Sequence, residues 1–446
     1  MKRIFGTDGI RGIAGEFLTA ELAGKVGASL CEVLHRKGGG KILIGTDTRE
    51  SAGMLERGLS EGITAMGFDA VLLGVVPTPA VAYLTASTDA AAGVMISASH
   101  NSYEYNGIKI FGADGFKLTD AEEEEIERLI YQNSFTPNVR RGSVLYGKRL
   151  IKNYVSHLKK NVPESLSGIK VAFDCANGSA SAVAGEIFGS LGCECHFIGC
   201  EADGVNINRA CGSTHLEALK SFVTENGMDI GLAFDGDADR CLAVDECGNE
   251  VDGDRIMAIL ALSLLEKGRL SKNTVVGTVM SNYGFQTFCR ERGLSFVGTR
   301  VGDRYVLEEI ERCGYSLGGE QSGHVIIREL MTSGDGELTG LLLLCRMRES
   351  GKKLSELASV IKKCPQSMVN ISANEREKAA LSQNPEIKSI IKAAEGMLGN
   401  SGRILVRPSG TEPLVRIMVE STDPTKTVKL CESVAAKISE IFKNDC

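Results

Sequence analysis

Ile42-Leu-Ile-Gly-Thr-Asp-Thr-Arg-Glu-Ser-Ala-Gly-Met-Leu55 decides how this chain folds. A short aliphatic run with the composition of a buried strand passes into a polar turn over residues 45–51. The spacing beyond the turn predicts a helix over about 52–66. The same order recurs. Val171-Ala-Phe173 passes into Asp174-Cys-Ala-Asn-Gly-Ser-Ala180 and a helix through Ile187. Val275-Val-Gly-Thr-Val279 passes into Met280-Ser-Asn-Tyr-Gly284 and a further helical stretch. Three strand–turn–helix units spaced by roughly 105 to 130 residues predict three related α/β domains with mixed sheets. In such sheets ligands collect off the carboxyl ends of the strands, where these turns lie.

Breaks in the pattern place the domains at 1–150, 151–250, 251–365 and 366–446. Thr136-Pro-Asn138 with Arg140-Arg141, the turn at Gly248-Asn249, and Lys363-Cys-Pro365 mark the three boundaries. The last segment mixes helix with the alternating strand Val415-Arg-Ile-Met-Val419 and reads as a smaller α+β domain. Glu122 to Glu125 reads as a solvated helix face. Phe5-Gly-Thr-Asp-Gly-Ile-Arg-Gly12 is too glycine-rich for a regular element. Its glycines, though, let the backbone and the Arg11 guanidinium approach an anion.

At 446 residues the chain exceeds a single core. A net charge of −7 argues against nucleic acid as a partner, because no basic excess exists to neutralise a phosphate backbone. Met1-Lys-Arg is followed by no apolar leader, and the longest apolar run, 256–265, is too short for a bilayer. The fourteen cysteines lack CxxC spacing, and Cys193-Glu-Cys195-His196 falls where a strand is expected. Reduced thiols and a cytoplasmic location are therefore expected.

Four polar stretches carry the chemistry. In Gly93-Val-Met-Ile-Ser-Ala-Ser-His-Asn-Ser-Tyr-Glu-Tyr-Asn-Gly-Ile-Lys109 a buried strand ends in small hydroxyl residues, and Lys109 returns on a second strand. Ser99 is the candidate phosphoryl carrier. Asp235-Gly-Asp-Ala-Asp-Arg240, read as an extended loop, puts Asp235, Asp237 and Asp239 on one side for a hard cation. Glu246 stands at the twelfth position of an EF-hand, but Arg240 occupies its required glycine and the flanks read as strands. Gly318-Gly-Glu-Gln-Ser-Gly-His324 offers a carboxylate, a hydroxyl and an imidazole, with Glu320 and Ser322 on one side; the string also suits a plain turn. Arg407-Pro-Ser-Gly-Thr-Glu-Pro413, with Arg416 beyond, has the hydroxyls, Gly410 backbone and paired guanidinium groups of a phosphate cradle. Thr299-Arg-Val-Gly-Asp-Arg304 adds a cationic loop, and Gly212-Ser-Thr-His215 is a polar turn without a derivable role.

With these motifs in this order, essentially the whole chain resembles the α-D-phosphohexomutase superfamily. The opening segment and Gln321 resemble its glucosamine branch more than its glucose/mannose branch. The resemblance implies three α/β domains and a smaller C-terminal domain around a central cleft. It implies Ser99 as phosphoserine and as a ligand, with Asp235, Asp237 and Asp239, of one Mg²⁺. Arg11 and Arg240 would flank the transferring group, and His324 or, second, Lys109 would move the proton. Glu320, Ser322 and Arg300 would read the sugar, while Arg407, Ser409, Gly410, Thr411 and Arg416 would hold its distal phosphate. The implied activity interconverts glucosamine 6-phosphate and glucosamine 1-phosphate through glucosamine 1,6-bisphosphate, feeding UDP-N-acetylglucosamine synthesis. Phosphomannomutase or phosphoglucomutase activity is the alternative. No membrane partner is implied, and a homodimer is left open. Two positions depart from the pattern. Ser102 stands where the superfamily usually has proline, which is expected to loosen the loop. Arg300 stands where lysine is frequent.

Overall fold

The structure is a computed structural model that describes residues 3–35, 40–133, 135–162, 165–409 and 412–444. Each recurrent unit builds its own sheet. The first holds β1 (Phe5–Gly6), β2 (Gly9–Ile13), β3 (Lys41–Thr46), β4 (Asp69–Val75), β5 (Ala90–Ile96), β6 (Tyr105–Gly112) and β7 (Val144–Tyr146), in the order β1-β2-β6-β5-β3-β4-β7. β3 runs parallel to β4 and β5, and β6 runs antiparallel to β5, so the sheet is mixed. Ile42, Ile44, Val94, Ile96 and Ile108 are fully buried on it, as near-continuous apolar strands require when helices cover both faces.

The second sheet holds β8 (Lys170–Asp174), β9 (Glu194–Ile198), β10 (Ile230–Phe234), β11 (Cys241–Asp245) and β12 (Glu250–Val251), in the order β12-β11-β10-β8-β9. Asp174 closes its polar turn by accepting from Ala176 N (3.0 Å) and Gly212 N (2.7 Å), which gives the Gly212–Thr214 turn a structural role. The third sheet holds β13 (Thr274–Thr278), β14 (Ser295–Thr299), β15 (Leu317–Gly319) and β16 (Val325–Ile327), in the order β14-β13-β15-β16. All three sheets lie in one compact unit, residues 1–280 and 293–360.

The second compact unit joins residues 281–292 to 361–446. Its sheet is antiparallel, with β17 (Gln366–Ser372), β18 (Gly402–Pro408) and β19 (Leu414–Ser421) in the order β17-β19-β18, and the helix Pro424–Asn444 packs on it. The helix Tyr283–Glu291, which lies in sequence between β13 and β14, packs within this unit. The buried Glu420 accepts from Asn282 Nδ2 (3.0 Å) and Tyr283 N (2.9 Å) at the helix start and pairs with Arg403 (2.7 Å).

Two expectations change. The glycine-rich start is regular: β1 and β2 form a hairpin, and Ile10 and Arg11 of β2 pair with Ile108 and Gly107 of β6. Burial of Phe5 and Ile10 together with the strand hydrogen bonds outweighs the local cost of glycine. The acidic run of the helix Asp120–Gln132 is only partly a solvated face. Glu122 completes a capping box with Thr119, whereas Glu123 is buried and accepts from Arg304 (3.1 Å). Among the described residues no helix is long and apolar enough to cross a membrane.

Candidate active site

β10 and β11 are antiparallel, with Phe234 opposite Cys241, and residues 235–240 close their ends. The loop is not extended. Ala238 N donates to Asp235 O (3.0 Å) and Ala238 takes a left-handed φ of 55°. This turn, rather than alternation along a strand, brings Asp235, Asp237 and Asp239 together, with one oxygen of each within 4.8 Å of the others. All three are buried. Asp237 Oδ2 accepts from Thr78 Oγ1 (2.5 Å) and Lys109 Nζ (2.8 Å), and Lys109 also reaches Asp239 Oδ2 (3.2 Å). Asp237 Oδ1 is buried without a hydrogen-bond donor, and Asp239 Oδ1 has only the longer approach of His324 Nδ1 at 3.5 Å. Burial and the neighbouring Asp239 and Asp237 push Asp235 up to about 8. Orphaned carboxylate oxygens in an all-oxygen cluster fit a hard divalent cation, which would relieve that repulsion.

Ser99 follows the end of β5 and is buried with φ 53°, a strained backbone for a residue with a Cβ. Its Oγ donates to Asp235 Oδ2 (2.5 Å). Gly236 permits the approach, since a Cβ there would lie 2.6 Å from Ser99 O. Lys109 faces the same cluster because β6 pairs it with Met95 of β5. Burial works against its charge, but Asp237, Asp8 and Asp239 outweigh it and hold the ammonium well above the usual lysine range. Lys109 is therefore a buried cation seated among three carboxylates in this arrangement.

Arg11 and Arg240 approach from opposite elements. Arg11 pairs with Asp8 and donates to Asn101 Oδ1 (3.2 Å), while Arg240 donates through Nη1 to His100 Nδ1 (3.0 Å). Burial, Arg240 and Arg11 push His100 down to about 4, so its ring is neutral and accepts. The Nε groups of both arginines are buried without a hydrogen bond, and that of Arg240 lies 3.9 Å from Asp239 Oδ1. Guanidinium donors and carboxylate oxygens left without hydrogen bonds in adjacent loops suit an anion and a cation bound together.

His324, from the turn before β16, is buried 3.5 Å from Asp239 Oδ1 and 3.7 Å from Asp303 Oδ2. Burial lowers it, but the two carboxylates raise it to about 9. Gly334 N–H acts the other way, donating to Nε2 (3.1 Å), because an imidazolium has no lone pair to accept with. With Gly334 N–H on Nε2, Nδ1 is the nitrogen that faces Asp239. Gly334 itself is required there, since a Cβ would meet the ring at 2.5 Å. Behind it, Asp335 caps the helix Gly336–Ser350 through Leu338 N (2.8 Å) and accepts from Tyr154 OH (2.9 Å), and burial pushes it up to about 7.

Glu320 and Ser322 do not share a side as an extended string would place them. Gly323 N closes a turn on Glu320 O (3.0 Å), Glu320 Oε1 accepts from Gly302 N (3.1 Å), and Ser322 is exposed. Arg300 stacks on Tyr305, 3.9 Å from its ring centre, on the neighbouring loop.

In the second unit Arg407 of β18 lies opposite Arg416 of β19. Burial and Arg416 together lower Arg407 below its usual range. Arg416 pairs with Glu412 (2.5 Å), and Ser409 Oγ accepts from Glu412 N (3.2 Å). Gly410 and Thr411 lie outside the described residues.

The sequence reading missed Asp8, Thr78, Lys117 and Asp303. Lys117 bridges Asp8 and Asp303. Asp8 and Asp303 stand inside stretches quoted for their arginines, but nothing local marks Thr78 or Lys117.

Sequence models of the phosphoglucomutase/phosphomannomutase family match successive parts of the chain. Its alpha/beta/alpha domains I, II and III match residues 2–137, 152–248 and 252–364, and its C-terminal domain matches 368–437. The phosphoglucosamine mutase of Acetivibrio thermocellus is 50% identical over 430 residues, 95% of this chain and 96% of that protein. A phosphoglucomutase/phosphomannomutase family protein of Burkholderia thailandensis shares the fold, with a TM-score of 0.86 at 23% identity over 99% of this chain and 98% of that one. The N-acetylphosphoglucosamine mutase of Aspergillus fumigatus, solved with GlcNAc-6P and magnesium, is more distant, with a TM-score of 0.69 at 17% identity over 98% and 96%. With all four domains matched in order and half of the residues shared along nearly the full length of a relative, the chain belongs to the phosphoglucomutase/phosphomannomutase family.

Proposed function

We propose that the protein is a phosphoglucosamine mutase, interconverting glucosamine 6-phosphate and glucosamine 1-phosphate by way of phosphoserine at Ser99 and glucosamine 1,6-bisphosphate. The observation that carries the phosphoryl-transfer chemistry is the Ser99 hydroxyl, 2.5 Å from a carboxylate of the buried aspartate cluster. The choice of amino sugar rests on relatives at 48–50% identity that are named phosphoglucosamine mutase.

In each half-reaction the bond between phosphorus and Ser99 Oγ breaks as a bond to a sugar oxygen forms. The sugar hydroxyl's proton ends on Ser99 Oγ, so charge and protons balance over the transfer. The transition state is largely dissociative, and the site's task is alignment and charge stabilisation. Arg11 and Arg240, which already reach Asn101 and His100 beside Ser99, meet the phosphoryl oxygens. Asp235, Asp237 and Asp239, with a phosphoryl oxygen on Ser99, would hold Mg²⁺, which withdraws charge from the transferring group. His324 Nδ1–H and Lys109 keep Asp239 and Asp237 oriented. Glu320, Ser322 and Arg300 meet the sugar, and Arg407, Ser409, Gly410, Thr411 and Arg416 hold the phosphate that is not transferred.

Two measurements test the proposal. Mass analysis of the purified protein should find one phosphoryl group on the Ser99 peptide, and Ser99→Ala should lower mutase turnover at least about 10⁴-fold, as loss of a nucleophile does. Assays on glucosamine, glucose and mannose 1-phosphates should favour the amino sugar. Equal rates on all three would transfer the assignment to a phosphoglucomutase or phosphomannomutase.

A further inference from the structure

The polar turn after β3, quoted above for its part in the fold, has a second role. Arg49 is buried with its side chain fully covered, and all five of its N–H donors are used. Nε donates to Asp47 Oδ2 (2.9 Å); Nη1 donates to Ser102 O and to Tyr105 O (3.0 Å); Nη2 donates to Ser99 O (3.0 Å) and Asn101 O (2.8 Å). Four main-chain carbonyls of the serine loop thus converge on one guanidinium. Asp47 fixes the fork in turn, accepting Arg49 N at Oδ1 (3.1 Å) and Ser97 Oγ at Oδ2 (2.6 Å). Ser97 Oγ then accepts from Ser99 N (3.0 Å). From the second sheet's loops, Asn208 Nδ2 reaches Ser99 O (2.9 Å) and Asn101 O (3.0 Å).

Ser99 is therefore gripped at both its N–H and its carbonyl, on either side of the left-handed φ of 53°. Such a backbone persists only where its surroundings over-determine it. We propose that Arg49, oriented by Asp47, is a positioning residue that locks Ser99 in this conformation and so keeps its Oγ aimed at the aspartate cluster. The proposal deepens the reading of Ser99 as the phosphoryl carrier and rests on it for its catalytic consequence. A lysine cannot replace the fork: it keeps the charge but offers three donors from a single nitrogen.

The test compares the full-length parent, Arg49→Lys and Asp47→Asn with Ile42→Val, a core change in the same strand. In Arg49→Lys, kcat should fall about 10²-fold, the cost of a small misplacement of a reacting atom, with KM within about twofold. More inorganic phosphate should be released per turnover, since a drifting phosphoserine is open to water. Asp47→Asn should show the same pattern more weakly. Ile42→Val should lower Tm and leave kcat at the parent value. Hydrogen exchange gives a readout independent of catalysis: amides of residues 97–105 should exchange about tenfold faster in Arg49→Lys and at the parent rate in Ile42→Val. Unchanged exchange in Arg49→Lys, a kcat within threefold of the parent, or activity that merely tracks Tm across all variants overturns the positioning role. A parent without phosphoserine or mutase activity, in which exchange still accelerates, overturns the functional reading and leaves the lock standing.

Discussion

The aspartate cluster of the first unit and the arginine pair of the second handle charge in opposite ways. Around Ser99 opposite charges are set side by side: Lys109 meets Asp8, Asp237 and Asp239 within 3.2 Å, and Arg49 meets Asp47. On β18 and β19, Arg407 faces Arg416, like against like, with Glu412 as a partner on one side only. The same ladder shows that a matched pair was available, because Arg403 faces Glu420 four residues earlier. A like-charged cross-strand pair costs stability. Its presence beside a matched one fits the phosphate clamp proposed above, whereas the backbone of the serine loop is already held by Arg49 and Asn208. Transferring chemistry needs fixed geometry; a clamp that must take a substrate in two orientations needs charge and room.

The comparison can be broken, starting with its largest expected effect. Chelating divalent ions should cut turnover about 10³-fold, the scale of several kcal/mol of charge stabilisation, and added Mg²⁺ should restore it. Activity that persists in chelator would mean that Lys109 alone neutralises the cluster. Next, Arg407→Met should lower kcat/KM by about 10- to 10²-fold, the loss of a charge-assisted contact, while Tm holds or rises. A fall in Tm with unchanged kcat/KM would make the arginine pair structural.

A third effect is smaller and concerns stability. Asp335 is raised to about 7 by burial among Tyr154, Glu337 and Asp239, so the folded state holds its proton more tightly than the unfolded chain. Its contribution is complete below about pH 4 and is lost as pH rises through about 7. Thermal unfolding followed from pH 4 to pH 7 should show a shallower decline in Asp335→Asn than in the parent. Asparagine can keep both the helix cap and the tyrosine contact. Identical slopes would mean that Asp335 is ionised throughout.

The smallest effect concerns the missing proline. The left-handed φ is at Ser99 and not at Ser102, and the loop is held through carbonyls by Arg49 and Asn208. Ser102→Pro should accordingly leave kcat within about threefold and stabilise by less than about 1 kcal/mol. A large gain in kcat would show that the loop is loose, as the sequence suggested.

What could be read from the chain and what could not divide along one physical line. The strand–turn–helix units at 42–55, 171–187 and 275–284 were legible because apolar periodicity and turn residues act over a few neighbours. The three aspartates were legible for the same reason, as a dense local charge, although the turn at Ala238 rather than an extended loop gathers them. The tertiary structure alone decided that Glu123 is buried against Arg304, that Thr78 donates to Asp237, and that Arg49 collects the carbonyls behind Ser99. It also decided that Lys109 and His324 both stand against Asp239. These properties depend on partners brought together by sheet register and strand order across long stretches of chain. A burial cost or a paired charge exists only once those partners are in place.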